Sequence, residues 1–116
     1  GNWIAGEGTA MESLNPGNGD QIWKGHAATD TQVEDAVQAA INAFPTWSGH
    51  TFEQRVAHVR RFNEVVEHYR TLIADTIGQE TGKPFWEAET EVAALLGKAE
   101  ISIQAYLDRT PSHEDK

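Results

Sequence analysis

The spacing of hydrophobic residues changes once along the chain, close to Thr29. Before that residue, short apolar runs alternate with glycine-rich turns, which is typical of short β-strands. After it, apolar residues recur every three or four positions, the period of an α-helix with one buried face. The pattern predicts strands and turns over 1–28, helices over 29–110 and a frayed polar tail at 111–116. The expected fold class is therefore mainly α with a small N-terminal antiparallel β-hairpin.

Turn residues divide the N-terminal part into three apolar segments. Residues 2–5 predict a brief opening strand, and residues 6–8 predict a turn. Residues 10–14 and 21–24 predict two strands that pair, because Gly17-Asn18-Gly19-Asp20 between them supplies residues that accept a positive φ. A two-stranded hairpin is marginal alone in water, so we expect a helix to support it.

The first helix has the clearest pattern. Thr31, followed three residues later by Glu34, predicts a capping box at its start. Pro45 predicts its end, because proline cannot donate the next helical hydrogen bond. Between these signals runs an apolar stripe that we expect to be buried: Val33, Ala36, Val37, Ala40, Ile41 and Phe44.

Further capping and breaking signals divide the rest of the chain. Thr51 with Gln54 predicts the start of a second helix, whose apolar pattern breaks near residues 68–71. Gly82 fits the position after a helix end, where φ is positive, and Pro84 fits the first turn of the next helix. A last long helix should then stop before Pro111.

Composition narrows the class of function. The 116 residues suffice for one unit with a modest core. Because 18 acidic residues oppose 9 basic ones, we expect neither nucleic acid nor a membrane surface as a partner. No apolar run approaches the roughly 20 residues of a membrane helix. The chain has no cysteine, so we expect a cytoplasmic protein without disulfides.

Three residue patterns resemble parts of functional sites, yet each has a simpler structural role. Gly6-Glu7-Gly8 lacks a third small residue opening a helix, so a turn is favoured over a phosphate-binding loop. The histidines are spaced too widely for the usual metal motifs, which favours solvent-facing roles. Glu87 and Glu91 share a helix face near its N-terminus, where carboxylates more often stabilise the helix dipole than act as an acid–base pair.

Several short motifs occur in one order along the chain. They are Asn15-Pro16-Gly17-Asn18-Gly19, an alanine-rich helix at residues 36–44 that ends in Ala-Phe, and Glu80-Thr81-Gly82-Lys83-Pro84 running on to Val92. Together they resemble the N-terminal region of aldehyde dehydrogenases, most closely the branch that acts on succinylglutamic semialdehyde. The resemblance implies an N-terminal segment of a larger α/β aldehyde dehydrogenase fold, with the catalytic and complete cofactor domains absent from this chain.

The function implied by this resemblance is oxidation of N-succinylglutamate 5-semialdehyde to N-succinylglutamate in arginine catabolism, with NAD or NADP as hydride acceptor. The catalytic cysteine of that family is absent, so we expect the segment alone to be inactive and to hold no cofactor. Its partners would be the remaining domains of the same polypeptide and a small aldehyde, within a homo-oligomeric enzyme. The alternative is a stand-alone acidic helical module that binds another protein.

The resemblance also implies local roles for four residues. Glu91 and Leu95 match helical positions that flank the aldehyde entrance in related enzymes. Lys98 is their neighbour along the helix and would attract a dicarboxylic substrate, although a solvated lysine is the alternative. Glu80 matches an acidic position that helps to hold a monovalent cation, largely through backbone oxygen, with a helix-end charge as the alternative. No catalytic or cofactor-binding residue is expected in this chain.

Overall fold

A computed structural model describes residues 2–110 as a two-stranded sheet followed by four helices. The predicted fold class, mainly helical with an N-terminal antiparallel hairpin, is confirmed. The predicted tail at 111–116 lies outside the described residues. The strands are β1 (Ala10–Leu14) and β2 (Gln21–His26), and the helices are α1 (Asp30–Ser48), α2 (Phe52–His68), α3 (Arg70–Thr81) and α4 (Phe85–Arg109).

The residues form two compact units. Within residues 2–110, the first unit contains the chain up to Thr51 together with Gln79–Gly82, and the second contains Phe52–Gly78 and residues 83–110. The hairpin and α1 therefore belong to the first unit, whereas α2, most of α3 and α4 belong to the second.

The hairpin has the predicted antiparallel pairing, with Ala10 opposite His26 and an irregularity between Ser13 and Leu14. Its turn closes through a hydrogen bond of 2.8 Å from the Gly19 amide to the Asn15 carbonyl. The φ of Gly19 is 79°, a left-handed conformation that glycine adopts without steric cost.

The opening strand predicted at residues 2–5 is wrong, because these residues form no strand. The carbonyl oxygen of Ala5 accepts a hydrogen bond of 2.9 Å from Gln32 Nε2 instead. A helix side chain therefore holds this arm of the chain, in place of a neighbouring strand.

The start of α1 lies two residues before the predicted one. Thr29 Oγ1 accepts from the Gln32 amide at 3.2 Å, and Gln32 Oε1 accepts from the Thr29 amide at 3.0 Å, which completes a capping box. The predicted box of Thr31 with Glu34 is therefore wrong. Gln32 suits this position better than a glutamate would, because its amide can also donate to Ala5.

Pro45 does not end α1, which continues to Ser48. Proline lacks only its own N–H, and its carbonyl still accepts from the Gly49 amide and from Ser48 Oγ, both at 3.2 Å. One further turn therefore forms after the proline. The expected burial of the α1 stripe is also wrong, because none of the residues of α1 is buried.

The small core lies in the second unit. It consists of Val66, Ala74, Ala88 and Val92, with Ile73, Ile77 and Leu96 packed against them. The predicted break after His68 is confirmed, since α2 ends there and α3 begins at Arg70. Gly82 has the predicted positive φ, 75°, just after the end of α3.

Candidate functional site

The three residues predicted to line the substrate entrance lie on α4. Glu91, Leu95 and Lys98 are spaced by four and then three positions, so the helix places them on one face. All three side chains are exposed, and this face adjoins Val92, which is buried in the core of the second unit. The structure therefore provides an anion, an apolar side chain and a cation in a row on a helix that is anchored by the neighbouring core residues Ala88 and Val92.

Lys83, which the sequence reasoning did not single out, forms ion pairs with the first turns of α4. Its Nζ contacts Glu91 Oε1 and lies 3.8 Å from Glu87 Oε1. The hydrogen bond to Glu91 raises the pKa of Lys83, and the charges of Glu91 and Glu87 act in the same direction. A cation from the segment before the helix therefore lies between Glu91 and Glu87 and offsets part of their negative charge. The spacing of four residues between Lys83 and Glu87 was a sequence signal for part of this arrangement.

A second set of contacts holds α4 against α2. Arg60 donates from Nε to Glu100 Oε1 at 2.9 Å and from Nη2 to Glu100 Oε2 at 3.2 Å. This bidentate hydrogen bonding raises the pKa of Arg60 and lowers the pKa of Glu100. Asn63 Nδ2 donates to the Leu96 carbonyl at 2.8 Å in a partly buried position. Polar contacts therefore add to the apolar core in fixing the helix that carries the candidate site.

Glu80 lies in the last turn of α3. Its Oε1 accepts a hydrogen bond of 2.7 Å from Ser13 Oγ of the hairpin. Across residues 2–110, no group of three or more His, Asp or Glu side chains is arranged to hold a metal ion. The side chain of Glu80 thus has a structural partner, and its backbone oxygen is the group that corresponds to the predicted cation contact.

The Gly6-Glu7-Gly8 turn packs against the end of the hairpin. A Cβ added to Gly6 would lie 2.1 Å from the His26 carbonyl oxygen, so only glycine allows this approach. The Gly8 amide donates to the Ala27 carbonyl at 2.8 Å. The glycines of this segment therefore allow the backbone to pack closely against residues 26 and 27.

A cavity of about 630 Å³ lies in the first unit, between the N-terminal arm and α1. Its wall includes Ile4, Ala36 and Ala39, with His26 and Asp35 as titratable groups.

Within residues 2–110, no helix is long and apolar enough to span a membrane.

The sequence model of the aldehyde dehydrogenase family matches residues 3–113. The chain belongs to the aldehyde dehydrogenase family. Enzymes named N-succinylglutamate 5-semialdehyde dehydrogenase share 47% identity with it in Pseudomonas fluorescens and 48% in Paraburkholderia xenovorans, each over 110 residues and 95% of this chain. The match covers 22% and 23% of those relatives, so the chain spans about a fifth of their length.

Solved structures show the same fold. A NAD-dependent benzaldehyde dehydrogenase from Corynebacterium glutamicum matches with a TM-score of 0.82 and 23% identity, over 88% of this chain and 22% of the other. A betaine aldehyde dehydrogenase from Staphylococcus aureus, solved in complex with NAD+, matches with a TM-score of 0.81 and 23% identity, over 90% of this chain and 21% of the other. In each solved protein this arrangement is therefore one part of a much longer chain.

Proposed function

We propose that this chain is the N-terminal segment of an NAD(P)-dependent aldehyde dehydrogenase that oxidises N-succinylglutamate 5-semialdehyde to N-succinylglutamate in arginine catabolism. The observation that carries the proposal is identity of 44% to 49% over 110 residues with enzymes of that name. NAD+ bound to the Staphylococcus aureus relative supports a nicotinamide cofactor. The cytoplasmic location and the homo-oligomeric state stay predictions from the sequence.

The segment acts through shape and charge, since it contains no cysteine to attack an aldehyde. Glu91, Leu95 and Lys98 shape the approach of the substrate. The pairing of Lys83 with Glu91 supports this role, because it offsets a negative charge that would repel a dicarboxylic substrate. Lys98 then adds attraction for the carboxylates. The cofactor and the reacting groups belong to the remaining domains, and Glu80 offers its backbone oxygen to a monovalent cation.

A chimaeric enzyme tests this proposal. Residues 3–110 of this chain replace the matching segment of the Pseudomonas fluorescens relative, and reduction of NAD+ or NADP+ is measured with N-succinylglutamate 5-semialdehyde. We expect activity in the chimaera and none in the isolated chain. A folded chimaera that oxidises neither this substrate nor a simple aldehyde contradicts the proposal and favours the alternative, a stand-alone acidic module that binds a protein.

The role of Lys98 is tested in the same chimaera. Lys98→Gln should raise KM for the dicarboxylic semialdehyde and leave KM for an uncharged aldehyde of similar length unchanged, because only the first substrate carries the opposite charge. Lys24→Gln on β2 is the matched control, as it removes the same charge from the hairpin. Equal effects of the two variants on KM would exclude a specific role for Lys98.

A further inference from the structure

The turn between β1 and β2 contains the dipeptide Asn18-Gly19, and both residues are exposed. Glycine has no Cβ, so its amide nitrogen can approach the side chain of the residue before it without steric hindrance. Every other asparagine of the sequence precedes a residue that carries a Cβ: Asn2, Asn15, Asn42 and Asn63. Asn18 is therefore the asparagine whose side-chain amide the backbone can attack most readily.

This attack follows a balanced chemical course that needs only water. The Gly19 amide nitrogen loses its proton and bonds to Cγ of Asn18, and the side-chain nitrogen leaves as ammonia. The product is a five-membered succinimide ring. Water then opens the ring at the bond from the Gly19 nitrogen to Cγ, which yields aspartate, or at the bond from that nitrogen to the main-chain carbonyl carbon, which yields isoaspartate.

The closed turn holds both of the reacting groups. The Gly19 amide donates to the Asn15 carbonyl at 2.8 Å, so the proton that must leave is engaged in a hydrogen bond. The side chain of Asn18 is bound at both ends, because Oδ1 accepts from the Asp20 amide at 2.9 Å and Nδ2 donates to Asp20 Oδ2 at 2.7 Å. The attack therefore requires hydrogen bonds of the turn to break first.

We propose that Asn18 is a modification site that the closed turn protects through Asp20 and the Asn15 carbonyl, and that opening of the turn converts it irreversibly to aspartate or isoaspartate. Either product lacks the donor to Asp20 and places a second carboxylate beside it, so the two repel each other. Isoaspartate also inserts a carbon atom into the main chain of the turn, which disturbs the pairing of Leu14 with Gln21. A converted turn therefore closes less readily than the original one.

The rate of conversion in the folded and the unfolded chain tests this proposal. The chain is incubated in mildly alkaline buffer with and without guanidinium chloride, and peptide mass spectrometry measures the conversion of each asparagine. Isotope-labelled water identifies conversion that occurs during the incubation. We expect Asn18 to convert before Asn42 and Asn63 in the unfolded chain, and about tenfold more slowly in the folded chain, because reaction then waits for local opening.

Two variants at Asp20 separate the hydrogen bond from the charge. Both keep the Asn18-Gly19 dipeptide and the Asp20 backbone, whose carbonyl accepts from the Asn15 amide at 2.8 Å. Asp20→Ala removes the acceptor of Asn18 Nδ2, so conversion in the folded chain should be about threefold faster or more. Asp20→Asn is the matched control, since it keeps an acceptor oxygen without the charge, and should convert at nearly the native rate. Hydrogen exchange of the Gly19 amide should rise together with conversion in Asp20→Ala.

The possible results support or overturn the proposal without reference to the proposed function, because no substrate or cofactor takes part. Equal conversion of Asn18 in the folded and the unfolded chain overturns protection by the turn. Faster conversion in the folded chain overturns it as well, since the turn would then promote the attack. If another asparagine converts first in the unfolded chain, the assignment of the site is wrong. An unchanged rate in Asp20→Ala contradicts the part assigned to Asp20.

Discussion

Ser13 Oγ donates a hydrogen bond of 2.7 Å to Glu80 Oε1, although 67 residues separate the two in the chain. The contact joins β1 to the last turn of α3. Both residues belong to the first compact unit.

The contributions of charge and of hydrogen bonding to the Ser13–Glu80 contact can be measured separately. Glu80→Ala should destabilise the chain by about 0.5–1 kcal/mol, because an exposed hydrogen bond is lost. Glu80→Gln should cost less, since its amide oxygen still accepts from Ser13 while the charge is gone. Urea unfolding of both variants and of Ser13→Ala measures the difference. If Glu80→Ala is as damaging in the Ser13→Ala background as in the native chain, the contact contributes nothing.

Substitution of Gln32 tests which hydrogen bonds stabilise the first unit. Gln32→Ala removes the acceptor used by the Glu7 and Thr29 amides, so both should exchange their hydrogens faster. The expected loss of stability is about 1–2 kcal/mol, in the range of a lost helix cap with further hydrogen bonds.

Gln32→Glu is the matched variant. It keeps the acceptor oxygens and removes the donor to the Ala5 carbonyl, so the Glu7 and Thr29 amides should stay protected while the chain loses a smaller part of its stability. Hydrogen exchange resolved by NMR distinguishes the two variants. Loss of protection at both amides in Gln32→Glu would show that the acceptor geometry is not what holds the arm.

Replacement of glycine by alanine should have opposite effects on stability at Gly6 and at Gly97. Gly6→Ala should destabilise the chain by about 1–3 kcal/mol, because the new Cβ would overlap the His26 carbonyl and force the backbone apart. Gly97→Ala should stabilise it by about 0.5–1 kcal/mol, since Gly97 lies inside α4 and its Cβ would meet open space. Thermal unfolding of the two variants is the measurement. A stabilising Gly6→Ala would contradict the close backbone approach.

The Arg60–Glu100 pair predicts a pH dependence of stability. The folded pKa of Glu100 lies below its ordinary value of 4.5, chiefly through the hydrogen bonds from Arg60. The ion pair therefore contributes its full stabilisation above the ordinary pKa of 4.5. This contribution is lost as the pH falls through the lower pKa that Glu100 has in the folded chain. The raised pKa of Arg60 has no effect in this range, because arginine stays protonated.

Urea unfolding at a series of pH values tests this dependence. Glu100→Gln should flatten the acid limb of the stability curve, with Glu64→Gln as a control that removes an exposed acid paired within α2 alone. An acid limb unchanged by Glu100→Gln would assign the pH dependence to other carboxylates.

Local signals predicted most of the secondary structure. Gly19 and Gly82 mark backbone with positive φ, and both have it. The change of hydrophobic spacing at Thr29 predicted where strands give way to helices, because a helical period of 3.6 is clear when it continues over many residues. The prediction that α1 ends at Pro45 was wrong, because a proline near a helix end removes one hydrogen-bond donor and still allows the following turn to form.

Contacts between distant residues could not be predicted from spacing. Gln32 meets Ala5, 27 residues away, and Arg60 meets Glu100, 40 residues away. Periodicity showed which face of α1 is apolar, but it could not show whether this chain contains the surface that buries it. At the candidate site the pattern placed Glu91 and Leu95 on one face, whereas the ion pair between Lys83 and Glu91 depends on the path of the chain before α4.

The open stripe of α1 has a consequence for how the isolated chain behaves in solution. Apolar stripes make copies adhere, and here the formal net charge of −9 opposes that adhesion through mutual repulsion at neutral pH. Close to the sequence pI of about 4.8 the repulsion disappears while the stripe stays as apolar as before. The segment should therefore stay dissolved in neutral buffer at low salt and precipitate from mildly acidic solution. Added salt should also favour precipitation, because it screens the repulsion between copies.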